Sequence, residues 1–507
     1  MNSARDTTAR TIDATKHPAL TSRKWAVLGV VLAVVATIST SQAHAKEPVQ
    51  SAPPNVVFML ADNMGYGDLG AYGGGDTRGF QTPRIDALAA EGLRFTQFLV
   101  EPGCTPTRAA LLTGRYSIRA GLSLVIVPGT PNTLAEEEVT LGELFKSKGY
   151  STAYFGKWHV GTEKQSLPHN QGFDQWYGIP NTTDETFYVP TARTAKAPLP
   201  SGFTQPPILQ AVSGGDPEFV KEYSYETRRT IDFEIADRSV AYIEKQAAEG
   251  KAFFLFTAWT RPHEPNKPSK MFDGQSRIGD YGDGMMELDY NTGRVLDAID
   301  KAGIRDNTIV VWVSDNGPTR TTSWPDSGFA GPYRGELGSP LEGSIRTAGM
   351  VRWPGKIEPR VSNEMVSVMD FFPTLAGIIG ASVPSDRPID GVDQSDFVLG
   401  QQANSNREHL LTFAGDRLQA VRWRQFRIYF VDQGSSGTSA EFQYGLGGSY
   451  KMLDYPQIFN IELDPREEHN VSSQHGWVMS HAMRFIGQYK ASLEAHPNPP
   501  APNLSNH

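Results

Sequence analysis

The single cysteine of this 507-residue chain lies in a segment whose residue types favour chemistry on an anion. Cys104 is followed by Thr105 and Pro106, which suit the first turn of a helix, and by an Ala-Leu run that suits its continuation. A thiol there lies where backbone N–H groups and the helix dipole attract an anion. Arg108 follows one turn later on the same face, so we expect it to grip that anion too. The alternative is a buried structural cysteine at a helix start.

Two pairs of oxygen donors follow two apolar runs of the chain. These are Asp62 with Asn63, and Asp315 with Asn316. Carboxylate and amide oxygens suit Ca²⁺ or Mg²⁺ and not a soft metal. A divalent cation would polarise an oxygen of the anion and stabilise an ionised nucleophile. Because Asp and Asn also start turns after strands, loop capping is the alternative for each pair.

Cationic and titratable side chains follow two further apolar runs. Lys157 and His159 come after residues 150–155, and His263 comes after residues 253–259. A lone histidine is more often a surface or core residue than a catalyst, and a lone lysine is usually solvated. Four strands nevertheless deliver reactive side chains to their carboxyl ends, where α/β folds gather their sites.

The elements that must position these groups alternate along the chain. This alternation predicts an α/β fold with a large, mainly parallel sheet and helices on both faces. The β-rich runs are residues 55–60, 150–155, 253–259 and 308–314, and the helical patterns include residues 83–92, 141–148, 231–249 and 364–379. Residues from about 400 onward predict a smaller α+β domain, with strands at 419–423, 426–430 and 457–461 and a helix at 477–495. The Pro-rich segment 190–207 is predicted to be a long loop.

The N-terminus is typical of a secretory signal peptide. Basic residues precede an apolar run over residues 25–38, and Ala43-His44-Ala45 offers a cleavage site. We therefore predict a signal peptide over 1–45, a catalytic domain over 46–390 and a smaller domain over 400–507. A retained anchor is the alternative, although the run is short for a membrane span. The prediction is a secreted protein of the bacterial periplasm, with no stable membrane insertion after cleavage.

The charge balance excludes some classes of partner. Without residues 1–45 the chain keeps 42 basic and 54 acidic side chains, a net charge of −12. This balance argues against a nucleic-acid or polybasic membrane partner. Local positive groups and a metal must then attract any anionic substrate. The lone cysteine forms no internal disulfide, so stability must come from a large core.

The segment from Cys104 to Arg115 resembles the signature of the type I sulfatases, Cys-x-Pro-Ser/Thr-x-Arg followed by Leu-x-Thr-Gly-Arg. Gly156-Lys157-Trp158-His159 resembles the Gly-Lys-Trp-His motif of the same family, and Arg261-Pro262-His263 resembles the segment with its second histidine. The resemblance covers roughly residues 52–495. It implies an alkaline-phosphatase-like α/β core, a small C-terminal domain and hydrolysis of sulfate monoesters, most like the bacterial arylsulfatases.

The resemblance also implies a role for each candidate residue. In that family the cysteine is oxidised to formylglycine, whose hydrated aldehyde attacks the sulfur and later expels sulfate. Lys157 would bind a sulfate oxygen, His159 would take a proton from the second hydroxyl, and His263 would bind sulfate or protonate the leaving oxygen. One divalent cation, Ca²⁺ in preference to Mg²⁺, would be bound by Asp62, Asn63, Asp315, Asn316 and the modified Cys104.

Two positions depart from the family pattern. Asn63 stands where a second aspartate is usual, which predicts weaker metal binding without its loss. Leu337 stands where the family often has a lysine that contacts sulfate, so another donor replaces it or His263 carries the leaving-group step alone. Arg334 and Arg346 are nearby in the sequence, and the sequence does not place either of them.

The sequence thus predicts a sulfatase that acts on a small-molecule or saccharide sulfate ester. A formylglycine-generating or sulfatase-maturing enzyme is the implied partner. Two alternatives stay open: a phosphate or phosphonate ester hydrolase on the same fold, and a non-catalytic protein that binds sulfate esters.

Overall fold

Apolar runs rich in β-branched and aromatic residues form a ten-stranded sheet at the centre of the structure. The computed structural model describes residues 52–127, 130–188, 206–319, 328–432 and 451–500, which belong to one unit. The predicted signal peptide and nearly all of the predicted loop 190–207 lie outside the described residues. Within those ranges no helix has both the length and the apolar character that crossing a membrane requires.

The large sheet has a parallel centre. Its strands are β1 (Asn55–Ala61), β2 (Leu93–Leu99), β3 (Ser151–Gly156), β4 (Gln175–Gly178), β5 (Pro207–Val212), β6 (Glu218–Glu222), β7 (Phe253–Ala258), β8 (Thr308–Ser314), β9 (Arg346–Arg352) and β10 (Arg360–Ser367). Their order across the sheet is β10-β2-β9-β8-β1-β7-β3-β4-β5-β6. The neighbours β8, β1, β7, β3 and β4 run parallel, so their carboxyl ends meet at one edge.

Helices cover both faces of this sheet. They are α1 (Pro83–Ala90), α2 (Cys104–Thr113), α3 (Leu141–Ser147), α4 (Ile231–Glu249), α5 (Asp280–Lys301), α6 (Glu342–Ile345), α7 (Phe371–Ile379) and α8 (Ser395–Val398). α1, α4 and α5 bury apolar side chains against one face, and α2, α3 and α7 bury theirs against the other. Every residue of β1 and β8 is buried, as expected for strands covered on both sides.

A second, antiparallel sheet follows in the C-terminal part. It consists of β11 (His409–Ala414), β12 (Arg417–Trp423), β13 (Phe426–Val431) and β14 (Met452–Asn460), and is followed by α9 (Ser472–His475) and α10 (Met479–Ala495). Leu341, which precedes α6, packs against three side chains of this sheet: Ala420, Tyr429 and Phe459. The C-terminal sheet therefore touches the loop that enters α6.

The predicted fold class is confirmed: a large sheet with a parallel centre, flanked by helices, is joined to a smaller C-terminal sheet and helix. One predicted helix is wrong in its first part. Residues 364–367 belong to β10, and α7 begins only at Phe371. β10 pairs in parallel with β2, which is far away in the sequence, and this pairing overrides the local helical pattern. The predicted domain boundaries stay predictions.

Candidate active site

Cys104 is the first residue of α2 and is buried. Burial raises the pKa of its thiol to about 12, and the carboxylates of Asp62 and Asp315 add to this, against the opposing charges of Lys157 and Arg108. The thiol is therefore protonated at neutral pH, and a protonated thiol is a poor nucleophile. Chemistry at this position needs a change in the side chain itself.

Arg108 links three of the predicted site segments. Its Nε and Nη2 donate to Asp315 Oδ2 at 3.1 and 2.9 Å, and its Nη1 donates to the Lys157 carbonyl oxygen at 2.6 Å. Its Nη2 also lies 3.8 Å from Asp62 Oδ1. Each guanidinium nitrogen of Arg108 already donates to a protein acceptor. Arg108 therefore orients the carboxylates and adds positive charge to the site, and its guanidinium does not present two free N–H donors to an anion.

Lys157 and Asp62 form a fully buried ion pair. Lys157 Nζ donates to Asp62 Oδ2 at 2.7 Å. Burial alone would raise the pKa of Asp62, but Lys157, His263 and Arg108 together hold it below its usual range. Burial likewise opposes the charge on Lys157, and the acidic groups around it, Asp62 foremost, together outweigh burial so that the pKa of Lys157 is raised. Both groups are charged at neutral pH.

Asp315 behaves differently from Asp62. Burial raises the pKa of Asp315 to about 7, and the nearby negative charge of Asp62 adds to the effect. Asp315 Oδ1 accepts a hydrogen bond from the backbone N–H of Asn63 at 3.0 Å. A carboxyl that titrates near neutrality can exchange a proton with a reacting group, whereas Asp62 keeps a constant charge.

The oxygen donors fit a hard divalent cation. Asp62 Oδ1 and Asn316 Oδ1 are buried and accept no hydrogen bond from any described residue. Two such orphaned oxygens beside the Asp315 carboxylate suit Ca²⁺ or Mg²⁺. Asn63 contributes less, because its Oδ1 accepts from Asn316 Nδ2 at 2.6 Å and its Nδ2 donates to Thr319 Oγ1 at 3.1 Å.

The two predicted histidines present different ring nitrogens. His159 Nε2 lies 2.9 Å from the Ile126 carbonyl oxygen, to which it donates its proton, so Nδ1 keeps the lone pair. Burial, reinforced by Lys157, holds the pKa of His159 well below its usual range. His263 instead uses Nδ1 to donate to the Glu264 carbonyl oxygen at 2.7 Å, which leaves Nε2 for the site. Burial and Lys157 also lower the pKa of His263.

One site segment was not predicted from the sequence. Thr183 Oγ1 donates to Asp62 Oδ2 at 3.3 Å. Asp184 lies close enough to His263 to raise the pKa of that ring against the effect of burial. Burial raises the pKa of Glu185 to about 7. These residues follow β4, a strand of only four residues that the sequence analysis did not recognise. Side chains after the carboxyl ends of parallel strands gather at one edge of the sheet, so recognising β4 would have added them to the predicted site.

The segment that carries Leu337 bridges two site loops. Its backbone N–H donates to the Pro318 carbonyl at 3.0 Å, and the N–H of Gly338 donates to the Pro102 carbonyl at 2.7 Å. Both nearby arginines have an acidic neighbour in the structure. Arg346 pairs with Glu342 at 3.3 Å, and Arg334 lies near Glu467 of the C-terminal part, whose pKa it lowers against the dominant effect of burial.

The predicted residues are thus gathered around one point, although they come from five segments of the chain. Asp62, Lys157, Arg108 and Asp315 are joined directly, and Cys104, His159 and His263 lie within reach of their charges. A separate acidic group, Asp273, Asp280 and Asp283, lies elsewhere. Asp283 caps the backbone N–H groups of Gly274 and Ser276, so this group closes a loop.

Known proteins match nearly the whole described chain. A sequence model of the sulfatases matches residues 54–381, and one of the C-terminal region of aryl-sulfatase matches residues 405–503. Human arylsulfatase A is 36% identical over 463 residues, covering 87% of this chain and 89% of that protein. Rat steryl-sulfatase is 33% identical over 525 residues, covering 88% and 90%. The crystal structure of the PsFucS1 sulfatase from Pseudoalteromonas sp. is 33% identical, with a TM-score of 0.81 over 89% of this chain and 92% of that one.

Proposed function

The chain belongs to the sulfatase family and is a sulfuric ester hydrolase, and from this premise we propose that it hydrolyses sulfate monoesters with a nucleophile made from Cys104. We infer that Cys104 is oxidised to formylglycine, whose hydrate supplies one hydroxyl for attack on sulfur and a second for release of sulfate. A divalent cation held by Asp62, Asp315 and Asn316, with weaker help from Asn63, would polarise a sulfate oxygen, and Ca²⁺ is the favoured ion.

The side chains of the site divide the remaining tasks. Lys157, a buried ammonium beside the Cys104 position, binds a sulfate oxygen and offsets its charge. Asp315, a buried carboxylate beside the Cys104 position, receives the proton of the attacking hydroxyl. His159 is neutral at pH 7 and offers the lone pair of Nδ1, so it takes the proton of the second hydroxyl when sulfate departs.

His263 is assigned to the leaving oxygen. Its Nδ1 keeps its proton on the Glu264 carbonyl, so Nε2 is the nitrogen that gains a second proton when the ring is protonated and then transfers it to the leaving oxygen. Burial lowers its pKa, but a bound sulfate ester brings negative charge next to the ring and shifts the pKa upward. With Leu337 in place of the usual lysine, His263 carries this step alone.

One observation carries the proposal: the only cysteine is buried among two cations and two carboxylates that the fold gathers from distant parts of the chain. As a thiol it is inert there, whereas an aldehyde hydrate at the same place would meet a base, an anion-binding lysine and hard metal ligands. The same convergence argues against a purely structural cysteine.

The first test is chemical. We expect the peptide that carries Cys104 to show the mass of formylglycine in active protein from the native host. We also expect Cys104→Ala to lower kcat on 4-nitrophenyl sulfate by about 10⁴-fold or more while the fold is kept, because the variant has no nucleophile. An unmodified thiol in active protein, or an active Cys104→Ala variant, would contradict the mechanism.

Parallel assays separate this function from its alternatives. Aryl sulfate, aryl phosphate and aryl phosphonate esters are compared with and without a chelator, and we expect the sulfate ester to be preferred and its turnover to be lost on chelation. Preference for the phosphate or phosphonate ester would favour the alternative, a phosphate or phosphonate ester hydrolase on the same fold. Binding of a sulfated ligand without turnover would favour a non-catalytic protein.

The place and partners of the reaction are also proposed. The N-terminal pattern supports export to the bacterial periplasm, after maturation by a formylglycine-generating or sulfatase-maturing enzyme. A small-molecule or saccharide sulfate ester is the proposed substrate. The acidic net charge gives no support to a nucleic-acid partner.

A further inference from the structure

The segment that carries His263 is held by buried ion pairs that the reaction itself does not use. Arg228 lies just before α4 and pairs with Asp232 of that helix at 3.2 Å. Arg261, two residues before His263, pairs with Glu287 of α5 at 2.9 Å. All four side chains are almost completely shielded from solvent.

Arg228 grips the backbone on both sides of the turn. Its Nη2 donates to the carbonyl oxygens of Thr260 at 3.0 Å and of His263 at 2.9 Å, and its Nη1 donates to Thr260 Oγ1 at 2.8 Å. Asp232 completes the clamp by accepting from the Thr260 backbone N–H at 2.9 Å. One guanidinium therefore fixes the distance between residues 260 and 263.

The second pair holds the far end of the same segment. Glu287 accepts from the Ser269 backbone N–H at 2.6 Å as well as from Arg261 Nε. Arg261 Nη2 donates to the Lys267 carbonyl oxygen at 2.6 Å. The segment 260–269 is thus attached to α4 at its start and to α5 at its end.

Stability alone does not account for this arrangement. Burying an ion pair carries a large desolvation cost, and apolar side chains of similar volume are often as stable or more stable. What the guanidinium adds is geometry, since its Nη2 holds two carbonyl oxygens while its Nη1, fixed in the same plane, holds Thr260 Oγ1 and Asp232. The ring of His263 is in turn fixed to its own segment through the Glu264 carbonyl. The position of Nε2 therefore follows from the position of the backbone.

We propose that Arg228, seated by Asp232, is a positioning residue that places the His263 imidazole against the leaving oxygen of the sulfate ester. This inference rests on the proposed function, in which His263 protonates that oxygen. Arg228 touches neither the substrate nor the reacting atoms and acts only through the His263 carbonyl.

The role predicts a dependence on the leaving group. A nitrophenolate is a stable anion and departs with little need of a proton, whereas an alkoxide departs only if it is protonated. A displaced His263 therefore slows alkyl sulfate esters more than 4-nitrophenyl sulfate. A fault in folding or metal binding lowers the amount of competent enzyme and slows both substrates by the same factor.

The test compares Arg228→Lys with the matched control Arg352→Lys. Lysine keeps the positive charge next to Asp232, but its single nitrogen cannot serve the four acceptors that the two nitrogens Nη1 and Nη2 share. Arg352 is a buried arginine paired with Glu91 at 2.9 Å. It lies at the end of β9 that is next to the start of β8, away from the carboxyl ends that form the site. We expect kcat on a saccharide or alkyl sulfate to fall at least about tenfold further than kcat on 4-nitrophenyl sulfate in Arg228→Lys, and no such difference in Arg352→Lys.

A milder variant and the wild-type protein make every outcome decisive. If Arg228→Lys fails to fold by circular dichroism, Asp232→Asn, which keeps an acceptor for Thr260, is expected to show the same difference between the substrates. Equal losses on both substrates, or no loss, in the folded variant would overturn the positioning role while the proposed function stands. Wild-type protein that turns over neither sulfate would reject the proposed function, and this inference with it.

Discussion

At the scale of single residues, two members of the site hold a backbone conformation that side chains rarely adopt. Asn63 and His159 have φ of 62° and 61°, in the left-handed region. Such strain persists only where the surroundings fix it, and it is common at functional sites. In this site it turns the Asn63 N–H toward Asp315 and lets the His159 N–H reach the Pro180 carbonyl. Neither residue is glycine, so the sequence carries no direct sign of these turns.

Glu101 gives a prediction at the same scale. Burial raises the pKa of this carboxyl, three residues before Cys104, to about 8, and Asp390 adds to the shift. The folded protein therefore keeps the proton that the unfolded chain loses above about pH 4.5. Stability due to this group is fully present below about pH 4.5 and is lost as the pH rises toward 8. We expect Glu101→Gln to raise the free energy of unfolding at pH 8 by about 1–3 kcal/mol, with little effect at pH 4.5.

Urea unfolding of the wild type and of Glu101→Gln at both pH values checks this. The exposed Glu136→Gln serves as the control and should change neither value. A gain from Glu101→Gln that is the same at pH 4.5 and pH 8 would show that proton binding is not its cause.

At the scale of elements, the C-terminal sheet supports the segment that closes on the active site. Arg427 of β13 donates to the Pro340 carbonyl oxygen at 2.6 Å, and Arg422 of β12 donates to Glu342 at 2.9 Å. The same segment reaches both Pro102, before Cys104, and Pro318, after Asn316. The second sheet thus acts on the site through one loop.

Removing one partner of that contact should be costly. Arg422 and Glu342 are both fully buried, so Arg422→Met leaves a buried carboxylate that Arg346 and the more distant Arg427 offset only in part. We expect a loss of about 3–5 kcal/mol in the free energy of unfolding, measured with urea. The double variant Arg422→Met with Glu342→Gln should recover only part of it, because the buried carboxylate is gone but Arg346 loses its acidic partner. A double variant as unstable as the single one would mean that packing, and not charge pairing, holds this contact.

The sequence predicted the elements that have strong local patterns. β1 and β8 are continuous apolar runs followed by Asp and Asn, and the edge they share follows from parallel topology. The pattern was misleading at β10, where pairing with β2 decides the conformation. The clamp formed by Arg228 and Asp232 could not be predicted from the sequence for another reason. Its members contact a segment about 30 residues away, and charged residues at a helix start are usually solvated.

At the scale of the whole molecule, an acidic protein must attract an acidic substrate. The net charge is −9 for the full sequence, whereas the two site cations are matched by Asp62 and Asp315. Long-range repulsion therefore opposes the approach of a highly sulfated saccharide, and added salt shortens its range. We expect kcat/KM on such a saccharide to rise about twofold between roughly 10 and 150 mM ionic strength.

The monoanion 4-nitrophenyl sulfate is the control and should respond less, because repulsion scales with its single charge. Both series are run at a fixed concentration of divalent cation. A steep fall with salt would instead mean that a local positive field at the entrance governs the encounter.

The depth at which Cys104 lies has a consequence for how the protein is made. All ten residues of its helix are enclosed in the folded chain. An enzyme that modifies this side chain must bind the surrounding peptide, and it can bind this segment only before the segment folds. If Cys104 is oxidised as proposed, oxidation must precede folding, because a molecule that buries the unmodified thiol first stays inactive.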